Sequence, residues 1–266
     1  MAITNSPNNY PVIVRVFTFS LRVYYKIIQV TRICFSGFWL GVLGRDALQL
    51  IDRNHYNSKP YIDENYNRKG FFLWEEKAIK NFFQKCRNIL VIATGSGREV
   101  LALQKLGYDV DGFECNPILV KLANELFKKE GLAPVIKNVP YDHCPDTEVM
   151  YDGIIIGWGA YSHIQGKKQR IVFLKDVRSQ LKKGHPVLLS FFNGSQDRRD
   201  IIIISKIANF IRRIIRREIV ELGDDLFPNY IHYFSREEIE SELHEAGFGL
   251  EFFSTDEFGH AVGIAV

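Results

Sequence analysis

Residues 12–43 are almost continuously apolar, yet the few polar positions among them are ordered. Arg15, Thr18, Arg22, Lys26 and Gln29 step by 3, 4, 4 and 3, which places them on one narrow stripe of a helix. The rest of that helix is Val, Phe, Tyr and Ile. The polar residues 1–10 before it read as a loose end. Residues 44–70 are polar and tyrosine-rich, and their pattern predicts a loop. A second helix is expected at about 74–83.

From residue 88 the pattern changes. The run 88–93 (NILVIA) is a continuous apolar strand of the kind buried on both faces of a parallel sheet. A helix follows to about 106, then a strand at 109–113 and a helix at 117–129 with Pro117 in its first turn. Further strands are predicted at 135–139, 151–157 (YDGIIIG) and 186–192 (PVLLSFF), with a helix at 171–181 between the last two. Alternating strands and helices with short links predict a doubly wound α/β sheet of Rossmann-like type. Ser235, with Glu238 three residues on, caps a late helix that stops at Gly247. Strands at 249–253 and 259–266 then close the sheet as an antiparallel hairpin, making seven strands. The chain thus divides into an N-terminal helical cover and lid, 1–87, and a ligand-binding domain, 88–266, with an insertion at 193–234.

Composition narrows the picture. With 266 residues, 46% hydrophobic and 24% charged, the chain has the make-up of a folded globular protein. The net charge of +3 conceals an asymmetry: residues 1–50 carry +4 and residues 198–217 carry +6, leaving the remainder acidic. In 198–217, Lys206, Asn209, Arg213 and Arg217 again share one stripe, with isoleucines elsewhere. Such helices fit three roles: cover packed on the domain, peripheral contact with a membrane, or a homodimer interface. Nucleic acid is not expected, because aromatic and basic residues do not interleave in the second segment. Cys34, Cys86, Cys115 and Cys144 lie far apart without a CxxC pair, so no metal site is expected and the thiols fit a reducing cytoplasm. Neither a spanning helix nor a signal peptide is expected, since Arg15 interrupts the first apolar run.

Candidate chemistry lies at the strand ends. Gly95 and Gly97 follow the first strand, where they let backbone approach a ligand and open a helix N-terminus. Glu114 ends the second strand, 19 residues after Gly95, where a carboxylate can accept from both hydroxyls of a ribose. The dinucleotide pattern G-x-G-x-x-G has Val100 at its third glycine, which disfavours NAD.

Taken together, ILVIATGSGREVLAL, VDGFECNP, Asp142-His143, YDGIIIGWGAYSHI and FSREEIESELHEAGF resemble, in order and spacing, the class I S-adenosylmethionine-dependent methyltransferases. The resemblance runs from about residue 88 to 266 and implies S-adenosyl-L-methionine as cofactor. It places the cofactor against Ala93, Thr94, Gly95 and Gly97, against Glu114 with Cys115 and Asn116, near Asp142 and His143, and beside Gly157 and Trp158. Two positions depart from the pattern: Val91 stands where the family carries an acid, and Ala93 where it carries a glycine. The implied activity is methyl transfer to an O or N atom of a small, partly apolar acceptor. The alternatives are a lipid or membrane-associated acceptor, and an inactive cofactor-binding partner of another enzyme.

Alignment of nucleophile, methyl and sulfur is the main catalytic demand, with a base needed where the nucleophile carries a proton. The candidates are His163, His232 and Tyr161 for catalysis, and Trp74, Tyr161, Tyr230 and Tyr233 for the acceptor. Tyr61, Tyr66, Phe71, Phe72, Trp74 and Glu75, just ahead of the first strand, suggest an aromatic lid.

Overall fold

Three largely apolar runs form the centre of the sheet. In the computed structural model, which describes residues 10–194 and 198–266, β1 (Asn88–Ile92), β4 (Gly153–Ile156) and β5 (Pro186–Phe191) lie side by side and parallel. Their side chains alternate between two cores, as a pleated strand requires. Leu90, Ile92, Ile154 and Ile156 face one way, against Phe173, Leu174 and Val177 of α7 (Lys167–Ser179) and Ile239 and Leu243 of α9 (Arg236–Glu245). Ile89, Val91 and Ile155 face the other way, against α4 (Leu73–Phe82), α5 (Arg98–Lys105) and α6 (Pro117–Lys129).

Outward from β1 lie β2 (Asp109–Glu114) and β3 (Ile136–Asn138), both parallel. Beyond β5 lie β9 (Gly259–Ala265), antiparallel to β5, and β8 (Phe248–Ser254), antiparallel to β9. The order β3-β2-β1-β4-β5-β9-β8 is the seven-stranded, doubly wound sheet with a closing hairpin that the alternation predicts. Strand order reverses between β1 and β4, so a crevice opens beyond their carboxyl ends.

The N-terminal cover and the insertion build a third core. The helix α1 (Val12–Val42) is 31 residues long, and only its later turns touch the body. There Ile33 and Leu40 pack with Ile204 and Ala208 of α8 (Arg199–Ile214) and with Leu226 of a short hairpin, β6 (Asp224–Leu226) and β7 (Tyr230–His232). The two helices run parallel and close: a Cβ on Gly37 would fall 2.9 Å from Ile207, and one on Gly41 2.9 Å from Ile211. Arg32 ties the start of α8 and the hairpin to α1, with Asp200 at 2.9 Å and Asp225 at 2.7 Å.

One expectation is corrected. Residues 44–70 are not a continuous loop: α2 (Arg45–Tyr56) forms a 12-residue helix and α3 (Glu64–Asn67) a single turn capped by Asp63. The inward face of α2 holds Asp52, Arg53 and Tyr56, which line a cavity, and Gln49, which donates to Asp142 beside it. Its apolar residues, Ala47, Leu48, Leu50 and Ile51, gather on the other side, but the polar, tyrosine-rich run in which the helix lies reads as a loop. The loose end read in residues 1–10 lies, except for Tyr10, outside the described residues.

Candidate active site

A cavity of about 1100 Å³, counted to its open mouth, occupies the crevice at the strand ends. Its floor is the loop after β1. Ala93 takes a left-handed φ of +58°, strained for a residue with a Cβ, at the position where the resembling family carries glycine. Gly157, at the end of β4, is forced by close approach: a Cβ there would lie 2.2 Å from the Ala93 carbonyl oxygen. At Gly95, φ +55°, no protein atom lies within 4 Å of a Cβ position, so the backbone there faces open space.

Glu114 closes one side. The Gly95 N–H donates to its Oε2 at 2.8 Å, and the Asn116 N–H at 2.9 Å and Cys115 Sγ at 3.4 Å donate to its Oε1, locking the carboxylate while leaving Oε2 a lone pair. Burial pushes its pKa up, and the backbone donors oppose that. Asp142, opposite, accepts from Gln49 Nε2 at 3.0 Å through Oδ2, with Arg45 3.9 Å away. Its Oδ1 is buried without a hydrogen-bond partner, as is Ser96 Oγ on the β1 loop. Desolvation raises the Asp142 pKa to about 6.

The roof comes from α2 and the segment after it. Asp52, 1% exposed, accepts from Tyr141 Oη at 2.7 Å and the Tyr230 N–H at 3.1 Å, and burial raises its pKa to about 7. Tyr56 Oη lies 2.6 Å from His163 Nε2. His163 Nδ1 lies 2.8 Å from the Tyr230 carbonyl, which can only accept, so the proton sits on Nδ1 and Tyr56 donates to Nε2. Burial lowers the His163 pKa to about 4, keeping the imidazole neutral, and Asp52 Oδ2 stands 4.0 Å from Nδ1. Tyr61, Tyr66 and Trp158 complete an aromatic wall.

The structure therefore brings Ala93, Thr94, Gly95, Glu114, Cys115, Asn116, Asp142, His143, Trp158 and His163 to one cavity. Gly97 and Gly157 stand behind its wall, Gly97 tight against Phe127. Five expected residues do not face it. Tyr161 is fully buried and donates to Glu242 at 2.5 Å. His232 is held by Asp224 at 2.7 Å, which raises its pKa to about 9 despite burial and makes it a cation rather than a base. Tyr230 donates its hydroxyl to Asp224 at 2.8 Å and serves the site only through its backbone. Tyr233 packs over Gly194 and under Arg198. Trp74 is buried against Phe258 and His260.

Beneath the site, Arg170, 1% exposed, pairs with Glu242 at 2.6 Å and Glu221 at 2.9 Å. These pairs tie α7 to α9 and anchor the 160–164 turn that carries His163, because Arg170 also reaches the Ile164 carbonyl at 3.5 Å. Asp52, Arg53 and Tyr56 carry no motif; only helical spacing on α2 signals them. Arg98 and Glu99 are also missed. Arg98 is bridged to Glu75 and Glu99, each at 2.6 Å, and Glu99 borders the cavity.

No family model matches the sequence, and no curated protein matches it by sequence. Solved structures do match in shape. An S-adenosylmethionine-dependent methyltransferase from Methanosarcina mazei is 20% identical and superposes with a TM-score of 0.57, covering 74% of this chain and 99% of its own. CalS10, an amino pentose methyltransferase from Micromonospora echinaspora with bound S-adenosylmethionine, is 12% identical with a TM-score of 0.52, covering 80% and 94%. KedS8, a sugar N-methyltransferase from Streptoalloteichus, is 12% identical with a TM-score of 0.52, covering 80% and 90%. Strand order, closing hairpin and crevice thus agree with these neighbours, and the chain has the fold of the S-adenosylmethionine-dependent methyltransferases.

Proposed function

We propose that this chain transfers a methyl group from S-adenosylmethionine to an oxygen or nitrogen atom of a small, partly apolar acceptor. The observation that carries this reading is the set of polar atoms converging at the switch point. The open backbone of Gly95 and the locked Glu114 carboxylate line one crevice together with Asp142 and Ser96, whose Oδ1 and Oγ are buried without partners at its edge. Buried polar atoms without partners are costly, and a ligand that supplies donors there relieves the cost.

In this reading Glu114 holds the ribose hydroxyls and Asp142 Oδ1 accepts from the adenine amine. Ser96 Oγ and Glu99 serve the amino-acid end in place of the acid replaced by Val91, which is buried in the core. The cofactor's sulfonium supplies an already activated methyl group, so the protein's tasks are alignment, exclusion of water and removal of a proton. Tyr56, Tyr61, Tyr66 and Trp158 form the apolar wall against which an acceptor can seat. Tyr56 hands its hydroxyl proton to the neutral His163 Nε2 while its oxygen takes the acceptor's proton, and ionised Asp52, 4.0 Å from Nδ1, stabilises the resulting imidazolium.

Calorimetric titration tests the cofactor class. Saturable binding of S-adenosylmethionine is expected, weakened roughly 10- to 100-fold in Glu114→Gln, as for the loss of a charge-assisted hydrogen bond. Binding of NAD in its place, or an unchanged affinity in the variant, overturns the assignment.

A further inference from the structure

The first five turns of α1 touch almost nothing. Over residues 12–31 only Leu21 is even half-buried, while Phe17 is 62% exposed and Phe19 68%. An uncovered apolar arc of this length is unusual on a protein surface and marks a contact with something else. No helix of the described residues is long and apolar enough to cross a membrane.

Charge identifies what fits the arc. The chain has no Asp or Glu before Asp46, while Arg15, Arg22 and Lys26 form the only charged stripe on this stretch. The spacings 7, 4, 7 and 7 from Arg15 through Arg22, Lys26 and Ile33 to Leu40 keep all five on one side of the helix. Ile33 and Leu40 face the body, so the basic stripe lies on the body's side and the apolar arc points away from it. When that arc enters an apolar phase, the cations come to rest at its charged boundary and the folded body stays in water. A second copy of the helix would be a poorer fit. A two-helix seam buries only a narrow a/d stripe, whereas here apolar side chains fill most of the circumference outside the basic stripe, interrupted by Ser20 and Thr31. On α8, Phe210 and Ile214 repeat the arrangement, exposed with Arg213 alongside.

We propose that residues 12–31 dock this protein on an anionic lipid surface, the helix lying in the plane of the interface. The proposal is independent of the methyl-transfer reading. It also bears on access to the site, because α1 leads through Leu43 and Gly44 directly into α2, the roof of the cavity.

Flotation of the full chain with vesicles of phosphatidylcholine, with and without phosphatidylglycerol, tests it. The protein is expected to float with phosphatidylglycerol vesicles, less so as salt is added, and to stay behind with phosphatidylcholine alone. Combining Arg15→Gln, Arg22→Gln and Lys26→Gln should cut partitioning roughly 100-fold, at roughly five-fold per cation. Phe17→Ser with Ile28→Ser should also abolish it. Both variants should keep the parent's thermal unfolding midpoint, because none of these side chains packs on the body. Equal flotation with both vesicle types, or with neither, overturns the proposal. So does a dimer in lipid-free sedimentation that Phe17→Ser with Ile28→Ser dissociates.

Discussion

Replacing Asp52 by asparagine is expected to stabilise the protein above neutrality while slowing its reaction. In the folded chain burial lifts this carboxyl from its ordinary 3.8 to about 7. The folded state therefore keeps a proton that the unfolded chain has released. The stabilisation from that group is full below about pH 4, declines as pH rises, and is gone above about pH 7. Each pH unit in that window is worth about 1.4 kcal/mol, so the whole span is about 4 kcal/mol, of which about 3 kcal/mol falls between roughly pH 5 and pH 8. Asparagine has no proton to lose, so the stability of Asp52→Asn relative to the parent should rise by about that amount over the same interval. Urea unfolding of both proteins at the two pH values measures it. Parallel stability curves would mean that Asp52 is not desolvated as the structure places it. Turnover at the higher pH should fall in the same variant, because the carboxylate 4.0 Å from His163 Nδ1 no longer balances an imidazolium. A residue that destabilises the resting fold and serves the site is a common compromise.

Three further outcomes follow from the geometry. His163→Gln should lower kcat by about 10²- to 10⁴-fold while leaving cofactor affinity unchanged, as expected of a lost proton acceptor, and steady-state kinetics with titration separates the two. Gly157→Ala should unfold the protein or cost more than ~3 kcal/mol in denaturant melts, since the added methyl would sit 2.2 Å from the Ala93 carbonyl oxygen. Glu242→Gln leaves Arg170 buried with only Glu221 to pair it and should cost about 3–5 kcal/mol; a loss under ~1 kcal/mol would show that the pair is solvated in solution.

Much of the frame was legible along the chain because local rules decide it. Runs such as 88–93 and 151–157 are apolar on both faces, and only a covered parallel strand buries both. Gly95 and Glu114 were legible for a related reason: backbone approach and a strand-end carboxylate are demanded at fixed offsets from β1 and β2. The roof was not. Asp52, Arg53 and Tyr56 face inward from α2, so the helix carries polar residues where a pattern search expects apolar ones.

The two histidines show the division most sharply. By residue type and neighbourhood, His163 and His232 are equal candidates for a base. Tertiary contact makes one a neutral imidazole, through burial beside Tyr56 from 107 positions away, and the other a cation clamped by Asp224. Likewise the sequence alone established a basic stripe on an apolar helix, but not which side of that helix the body would cover. Periodicity and spacing are properties of neighbours along the chain, so the sequence determined the sheet, most of its helices and the residues that stand at the strand ends. Charge state, access and exposure depend on what the rest of the fold brings within a few ångströms, and those only the tertiary structure decided.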